Sequence, residues 1–501
     1  MEAAEGTVAA AVSAALARNP SIPALRWKDQ WLDWGWLREV ADRVNALLDD
    51  AGIGPEDTVA LVAANRPEHA AAILGLLARA RDIVMVYAYQ SPDAIARKFA
   101  ELRCAAFIAG ADAWQAPLLR AARDLRSLGI ALDFEAQVAV AGTHFDAQAE
   151  HRPAEAVHGI ALLTSGTTGP PKTSHLPYAV IYRSMVVESP VHPFGQPPPS
   201  QTPTLMTSPF GNVAGLYAWL PLVVAGRSAV LHEKFTLERW LDYVREFQPV
   251  STGLPAPGFR MVLDMGLPPE ELASVKYMSS GSAPLEVEVQ RAFEEKYDVI
   301  ILPTYGATEF GGGIAVMTPP MREKYGPSKR GSVGQPLPGV EVRVVDSVSG
   351  ESLPSGQEGV LETRMTRLGP DWIRTTDLAV VDEDGFIFHR GRTDGAIVRG
   401  GFKINPNVVR VALLEHPAIS DAVVAGIPDR RLGEVPVAAY RLWADAPVPT
   451  VAELEAHLRA RLPATFLPTR YREVQELPMT MTQKLDMGAV RALFADEEMV
   501  R

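Results

Sequence analysis

Hydroxyls, glycines and a lysine crowd into residues 160–172, Ile-Ala-Leu-Leu-Thr-Ser-Gly-Thr-Thr-Gly-Pro-Pro-Lys. The apolar run Ile160 to Leu163 predicts a short buried strand, which delivers a loop of Thr164, Ser165, Gly166, Thr167, Thr168 and Gly169. Glycines let backbone N–H groups approach an anion, hydroxyls add donors and Lys172 adds a point charge, so the loop suits phosphate. Taken alone, the same composition also describes an ordinary polar surface loop. It is not a Walker loop, because Pro170 and Pro171 separate Gly169 from Lys172 where that motif has G-K-[ST]. Four further stretches carry residues of interest. Ser280-Gly281-Ser282-Ala283-Pro284-Leu285 and Thr304-Tyr305-Gly306-Ala307-Thr308-Glu309 each read singly as loops. Thr375-Thr376-Asp377 with Gly391-Arg392-Thr393-Asp394 supplies a carboxylate able to accept ribose hydroxyls and a guanidinium able to pair with phosphate. Arg399-Gly400-Gly401-Phe402 allows close backbone approach or merely a tight turn, and Lys484 by itself is a solvated surface charge.

The elements that must position these residues alternate. An Ala-rich helix over 8–18 precedes a helix from Leu37 to Leu48 that closes at Gly52 with Pro55 beyond. Strands at Val59–Ala63, Ile83–Val86, Ala105–Ala109 and Ala161–Thr164, with a helix at Pro67–Ala78, predict an α/β domain with largely parallel sheets. Trp27, Trp31, Trp34 and Trp36 read as strand and helix packing rather than a cofactor box. Thr236 caps a helix whose Leu237, Trp240, Leu241, Val244 and Phe247 share one face. Alternation from Val340 to Val344, and the Asp384-Gly385 turn signal, give the large domain a β-rich end. Beyond Gly391 the character changes: a strand at Ala422 to Gly426 and a helix with a Thr450/Glu453 capping box predict a small α+β unit. The expected domains are 1–393 and 394–501. Distinct from both in character is the proline-rich stretch 190–203, a rigid surface excursion or a ligand for a proline-binding partner.

At 501 residues the chain exceeds one compact core, so two or more domains are expected. A formal charge of −12 argues against nucleic acid and against a polybasic membrane anchor. Cys104 is the only cysteine, which rules out an intrachain disulfide and a cysteine metal cluster and fits a buried small hydrophobe. No apolar run suits a membrane span, and Glu2 and Glu5 do not make a basic signal-peptide start, so a cytoplasmic protein is expected.

The order of strand, TSGTTG and PPK resembles the phosphate loop of the adenylate-forming superfamily: acyl- and aryl-CoA synthetases, adenylation domains of peptide synthetases, and firefly luciferase. The four further stretches follow in that family's order across nearly the whole chain. The resemblance implies a large N-terminal AMP-binding domain of α/β subdomains and a small mobile C-terminal α+β domain. It implies that Thr164 to Gly169 and Lys172 hold phosphate. Gly281, Ser282, Ala283, Tyr305 (stacked on adenine), Gly306, Asp377 (on ribose) and Arg392 would hold the nucleotide. Thr308 would contact phosphate or the acyl carboxylate, and Glu309 would hold Mg²⁺. Asn212, Val213, Gly215, Gly281, Gly306 and Gly311 would line the acyl pocket. Asp394 would be the hinge, and Gly400, Gly401 and Phe402 would line the CoA tunnel. Lys484 would be the catalytic lysine, bridging the attacking carboxylate and the α-phosphate.

The function implied is an ATP-dependent acid–CoA ligase, with ATP and CoA as co-substrates and Mg²⁺ as the ion. Alternatives are an adenylation enzyme that loads a separate carrier protein, or a catalytically silent nucleotide or acyl-adenylate sensor. The chain departs from the pattern at Asn212 for histidine, Thr376 for glycine, Asn407 for glutamate and Gln483 for glycine. Backbone geometry at Thr376 and depth and gating of the acyl pocket at Asn212 are the points these departures open. The mixture of small and apolar residues in the candidate walls suits an aryl, alicyclic or medium-to-long aliphatic acid. Gly311 to Gly313 imply either room beside the reacting carboxyl or loop flexibility. Oligomeric state is open between monomer and homodimer.

Overall fold

Strand Thr58–Ala63 is buried at every residue, and its alternate side chains feed two cores. Val59, Leu61 and Ala63 pack with helices Trp34–Asp50 and Pro67–Ala78, whereas Ala60 and Val62 pack with Phe99, Phe107 and Leu118. A strand buried on both faces belongs to a parallel sheet covered by helices on each side. In the computed structural model, which describes residues 6–88, 92–135, 137–164, 172–188, 202–281, 285–395, 397–399, 402–429, 433–462, 464–480 and 484–495, that sheet has seven strands. Their order is Gln137–Val140, Leu128–Asp133, Ala106–Gly110, Thr58–Ala63, Asp82–Tyr87, Gly159–Thr164 and Lys172–Pro177. The inner pairs are parallel, and an antiparallel strand closes each edge. At one edge Thr164 pairs with Lys172, so the phosphate-loop sequence connects two antiparallel strands. Residues 165–171 themselves, and 189–201 of the proline-rich stretch, lie outside the described residues.

The chain divides into two compact units: Met1–Ser328 with Leu337–Gly339 and Thr366–Leu368, and Lys329–Pro336 with Val340–Met365 and Gly369–Arg501. In the first unit a second sheet runs Ser251–Gly253, Tyr277–Ser280 and Ile300–Ala307 in parallel, then turns back through Gly312–Val316. Trp240, Phe259 and Phe293 fill its core, the first on the helix that leads into the sheet and the others on helices that connect its strands. The Thr236 hydroxyl accepts from the Arg239 N–H and starts the first of these helices, as its sequence requires. Helix Val213–Ala225 links two parallel strands, Thr204–Met206 and Ala229–Leu231, of a smaller four-stranded sheet that also holds Pro23–Trp27 and Gln30–Asp33. Of the four clustered tryptophans, Trp27 and Trp31 are on these two strands and Trp34 and Trp36 open a helix.

The second unit begins with an antiparallel meander, Val340–Val345, Glu358–Met365, Ile373–Val381 and Ile387–Arg392. Its remainder is α+β. Long strands Ile419–Asp429 and Gly433–Leu442 pair antiparallel, and helices Pro406–Leu414 and Val451–Arg459 bury Val409, Leu413, Leu454 and Leu458 against them. The Thr450/Glu453 capping box is formed in both directions. The boundary expected at 393/394 falls inside this unit, between the meander and its α+β part. The fold class is the expected one, mixed α/β with a large N-terminal part and a small C-terminal one. Cys104 is buried, and burial pushes its thiol up to about 12. Among the described residues no helix is long and apolar enough to cross a membrane.

Candidate active site

Strand Ile300–Ala307 is apolar and buried through Ile301, Leu302 and Pro303, then surfaces at Thr304. Ser280 pairs with Pro303, and the Thr304 hydroxyl donates to the Ser280 carbonyl at 3.3 Å. The next residue of the neighbouring strand must be Gly281: a Cβ there would lie 2.6 Å from Thr304 Oγ1. Ser282 and Ala283 lie outside the described residues. Tyr305 and Thr308 are half-buried and Glu309 is exposed, on a 3₁₀ turn Thr308–Phe310 anchored by the buried Phe310 ring. Gly311, at φ +69°, closes that turn by donating its N–H to the Thr308 carbonyl at 3.0 Å. The chain then returns antiparallel, pairing Gly306 with Gly313 and Ala307 with Gly312.

Gly311 to Gly313 leave neither open room nor an idle loop. A Cβ on Gly311 would meet Val180 Cγ1 at 2.8 Å, and one on Gly312 would meet the Tyr217 ring at 2.5 Å. Gly312 also sits at φ +133°, a conformation that side-chain-bearing residues rarely adopt. Tyr217 belongs to helix Val213–Ala225, whose N-terminal end carries Asn212, Val213 and Gly215. Asn212 is the N-cap by backbone geometry, yet its side chain does not cap the helix. Gly215 is required by its neighbour, since any Cβ there would collide with the Pro209 carbonyl. Burial raises the Tyr217 phenol to about 12.

Two bracing residues carry no motif. Arg367, almost fully buried, donates to the Phe310 carbonyl at 3.1 Å and the Gly313 carbonyl at 2.9 Å, and pairs with Glu188 at 3.2 Å. Glu188 also meets Arg183 at 3.0 Å. Buried Asn65 accepts from the Phe210 N–H at 2.9 Å and donates to the Ser208 carbonyl at 3.0 Å, holding the loop before helix Val213–Ala225. Neither has a sequence signal; a buried asparagine or arginine is visible only once distant segments meet.

In the second unit Asp377 and Arg392 are direct partners across antiparallel strands. The Asp377 carboxylate is buried and lies 3.3 Å from His389 Nε2, and its N–H donates to the Thr375 hydroxyl at 3.0 Å. Thr376 lies in strand Ile373–Val381 where its pairing with Glu358–Met365 shifts register, and it has no positive φ, so its backbone dihedral makes no demand for glycine. Its carbonyl accepts from the Thr393 hydroxyl at 3.1 Å. Asp394 follows on a short turn, Thr393–Gly395. Gly400 and Gly401, which fall between strands Ile397–Arg399 and Phe402–Ile404 in the chain, lie outside the described residues. Lys484 is exposed: Met479 bridges Leu485, the Thr480 N–H donates to the Lys484 carbonyl at 2.6 Å, and the Lys484 N–H donates to the Thr480 hydroxyl at 3.2 Å. Asp486 then caps helix Met487–Ala492 by accepting from the Ala489 N–H.

Among the described residues no three or more His, Cys, Asp or Glu converge on a metal position. A lone exposed carboxylate, Glu309, fits an ion such as Mg²⁺ that keeps most of its shell in phosphate and water oxygens. A cavity of about 260 Å³ lies elsewhere in the first unit, lined by Val62, Arg66, His69, Gly110, Asp112 and Lys234 among others. None of the motif residues lines it.

The AMP-binding enzyme family profile matches residues 12–368, and that of the AMP-binding enzyme C-terminal domain matches 411–484. The chain belongs to the AMP-binding enzyme family. Members of this adenylate-forming family similar to it include a sulfoacetate–CoA ligase of Cupriavidus necator, 29% identical over 94% of this chain and 95% of the relative. A long-chain-fatty-acid–CoA ligase of Bacillus subtilis is 30% identical over 66% of this chain and 60% of its own. The fold is shared with ATP-bound MatB from Rhodopseudomonas palustris (TM-score 0.82, 20% identity, 98% of this chain and 99% of that one). It is shared too with the o-succinylbenzoate CoA synthetase MenE of Bacillus subtilis in complex with ATP and magnesium (TM-score 0.77, 21% identity, 96% and 99%). The two sequence relatives named are thus acid–CoA ligases of different substrates.

Proposed function

We propose that this protein is an acid–CoA ligase: a carboxylate displaces pyrophosphate from ATP to form an acyl-adenylate, and the thiol of CoA then takes the acyl group with release of AMP. One observation carries the reading: matches to both family domains, the second ending on Lys484 itself, together with likeness to a CoA ligase over nearly the full length of both chains. Lys484 provides a flexible ammonium that neutralises carboxylate and α-phosphate as they meet, and its side chain is exposed. Residues 164–169 and Lys172 cradle the phosphates, Tyr305 stacks on adenine, and Asp377 and Arg392 hold ribose and phosphate. Bound at Glu309, Mg²⁺ would screen the triphosphate charge. Thr308 orients the reacting carboxylate or phosphate from the adjoining turn position. After adenylation the C-terminal domain, 394–501, turns about Asp394 and presents Gly400, Gly401 and Phe402 to the thiol. Its seat is the cytoplasm.

The test is acid-dependent pyrophosphate release by wild type and Lys484→Ala over a broad acid panel. Loss on the order of 100-fold in the variant is expected, the scale of one electrostatic stabiliser. Wild-type silence with every acid would favour a nucleotide sensor instead. A fatty acid–[acyl-carrier-protein] ligase of Streptomyces coeruleorubidus, 29% identical over 58% of each chain, favours a second reading in which a carrier protein supplies the thiol. Offering CoA and carrier proteins to the preformed adenylate separates the two.

A further inference from the structure

We infer that His389 is a positioning residue for the nucleotide: its imidazole holds the Asp377 carboxylate in the orientation that grips both ribose hydroxyls. This rests on the proposed function, which gives Asp377 the ribose. A free carboxylate turns broadly about its last torsion, and binding two hydroxyls at once needs both oxygens fixed. In regular antiparallel pairing, the match of Leu378 with Gly391 would put His389 opposite Val380, on the face of the sheet away from Asp377. Instead one extra residue, Arg390, stands between the pairs Leu378–Gly391 and Ala379–His389. This bulge turns His389 over to the face of Ala379 and Asp377, where it becomes the diagonal neighbour of the carboxylate.

The bulge is itself locked. Gly391 adopts φ +127°, which glycine accommodates, and the Asn405 side chain packs 3.0 Å from where a Cβ would stand. The Asn405 amide donates to the Arg390 carbonyl at 2.7 Å, while its oxygen accepts from the Asn407 N–H and caps helix Pro406–Leu414. His389 Nε2 then lies 3.3 Å from Asp377 Oδ1, with both side chains largely buried. An ionised carboxylate only accepts, so the imidazole donates. The backbone at Asp377 is fixed as well: its N–H donates to the Thr375 hydroxyl at 3.0 Å, and that hydroxyl donates to the Leu361 carbonyl at 2.8 Å. Backbone and carboxylate are thus set before a nucleotide arrives, so their ordering does not weaken binding. Acceptors held ready in this way discriminate against a sugar that lacks a hydroxyl, because the unmatched oxygen is left unpaired.

The experiment measures binding of ATP, 2′-deoxy-ATP and 3′-deoxy-ATP, each with Mg²⁺, to the full-length chain by calorimetry. Wild type, His389→Phe, His389→Leu and His389→Gln are compared. Wild type is expected to prefer ATP to either deoxynucleotide by on the order of tenfold or more, the scale of a hydrogen bond to a charged group. His389→Phe keeps a ring but no donor. It should bind ATP about tenfold more weakly and the deoxynucleotides within about threefold of wild type, so the preference collapses. His389→Gln, which returns an N–H at similar reach, recovers most of the preference. His389→Leu answers the same question if the phenylalanine variant does not fold. A merely structural role would weaken all three nucleotides alike. That result, or an undiminished preference in both apolar variants, overturns the inference while leaving Asp377 on the ribose. A wild type that binds all three alike, or binds none, overturns the ribose assignment and the inference together.

Discussion

Replacing Arg367 by Met tests whether a residue outside every motif holds the turn Thr308–Phe310, which the proposed function puts beside the reacting groups. The side chain is 3% exposed and makes two hydrogen bonds to carbonyls, of Phe310 and Gly313, and one ion pair to Glu188. Methionine matches much of the aliphatic stem but donates nothing. Each carbonyl loses a hydrogen bond to a charged donor, worth about 1.5 kcal/mol at the low end, so the pair sums to about 3 kcal/mol. Glu188 is not stranded, since it keeps Arg183 at 3.0 Å and is 24% exposed. The cost thus stays near the bottom of the range of about 3–5 kcal/mol for breaking a buried pair. Part of it will appear as a lower melting temperature of the full-length chain and a lower urea midpoint. The rest should loosen the turn that carries Thr308 and Glu309, where a displacement of about 1 Å costs up to roughly 100-fold in rate. The expected result is therefore reduced stability together with a fall of on the order of tenfold or more in kcat/KM for pyrophosphate release. Arg367→Lys keeps the charge but not the fork that spans two carbonyls, and should recover only part of either loss. A methionine variant that melts and turns over like wild type would refute the argument.

Other perturbations have equally definite expectations. His69 is fully buried, its Nδ1 at 2.7 Å from the Val62 carbonyl, and burial lowers its imidazole to about 4 from the ordinary 6.5. The unfolded chain therefore binds the extra proton first, and stability present above pH 6.5 is lost as pH falls toward 4. The loss is about 3 kcal/mol at about 1.4 kcal/mol per unit, and His69→Gln should flatten that limb of a urea-unfolding pH profile. An unchanged acid limb in the variant would show that His69 is not its source. Thr376→Gly restores the residue common in the family but loosens a strand where its register already shifts. It should destabilise by roughly 0.5–1 kcal/mol and leave pyrophosphate release within about twofold of wild type. A large gain in activity would mean that the backbone at 376 does require glycine.

The candidate site residues could be named from sequence because each sits in a short local string. YGATE reads as five neighbours, and in the structure they are five neighbours on one strand end and one turn. The alternating elements were legible for a similar reason. Pro67 to Ala78 carries its own start signal and an unbroken apolar stretch, and its helix begins and ends at those residues. The edge strands were less visible. Lys172–Pro177 contains a lysine, a histidine and a proline, and gains strand character only from pairing with Gly159–Thr164.

What sequence could not reach is the support of the site, because each bracing contact joins residues far apart in the chain. Asn65 clamps residue 210 across 145 positions, and Arg367 grips residue 310 across 57. His389 reaches Asp377 across one hairpin. In none of these is the partner specified by the residue's own surroundings. A buried amide or guanidinium is costly unless satisfied, so the fold must supply carbonyls or carboxylates at those points. The same logic corrects the reading of Gly311 to Gly313. Glycines in sequence announce only the absence of side chains. Whether that absence makes a cavity or a contact depends on what is packed opposite, and here Val180 and Tyr217 are already there.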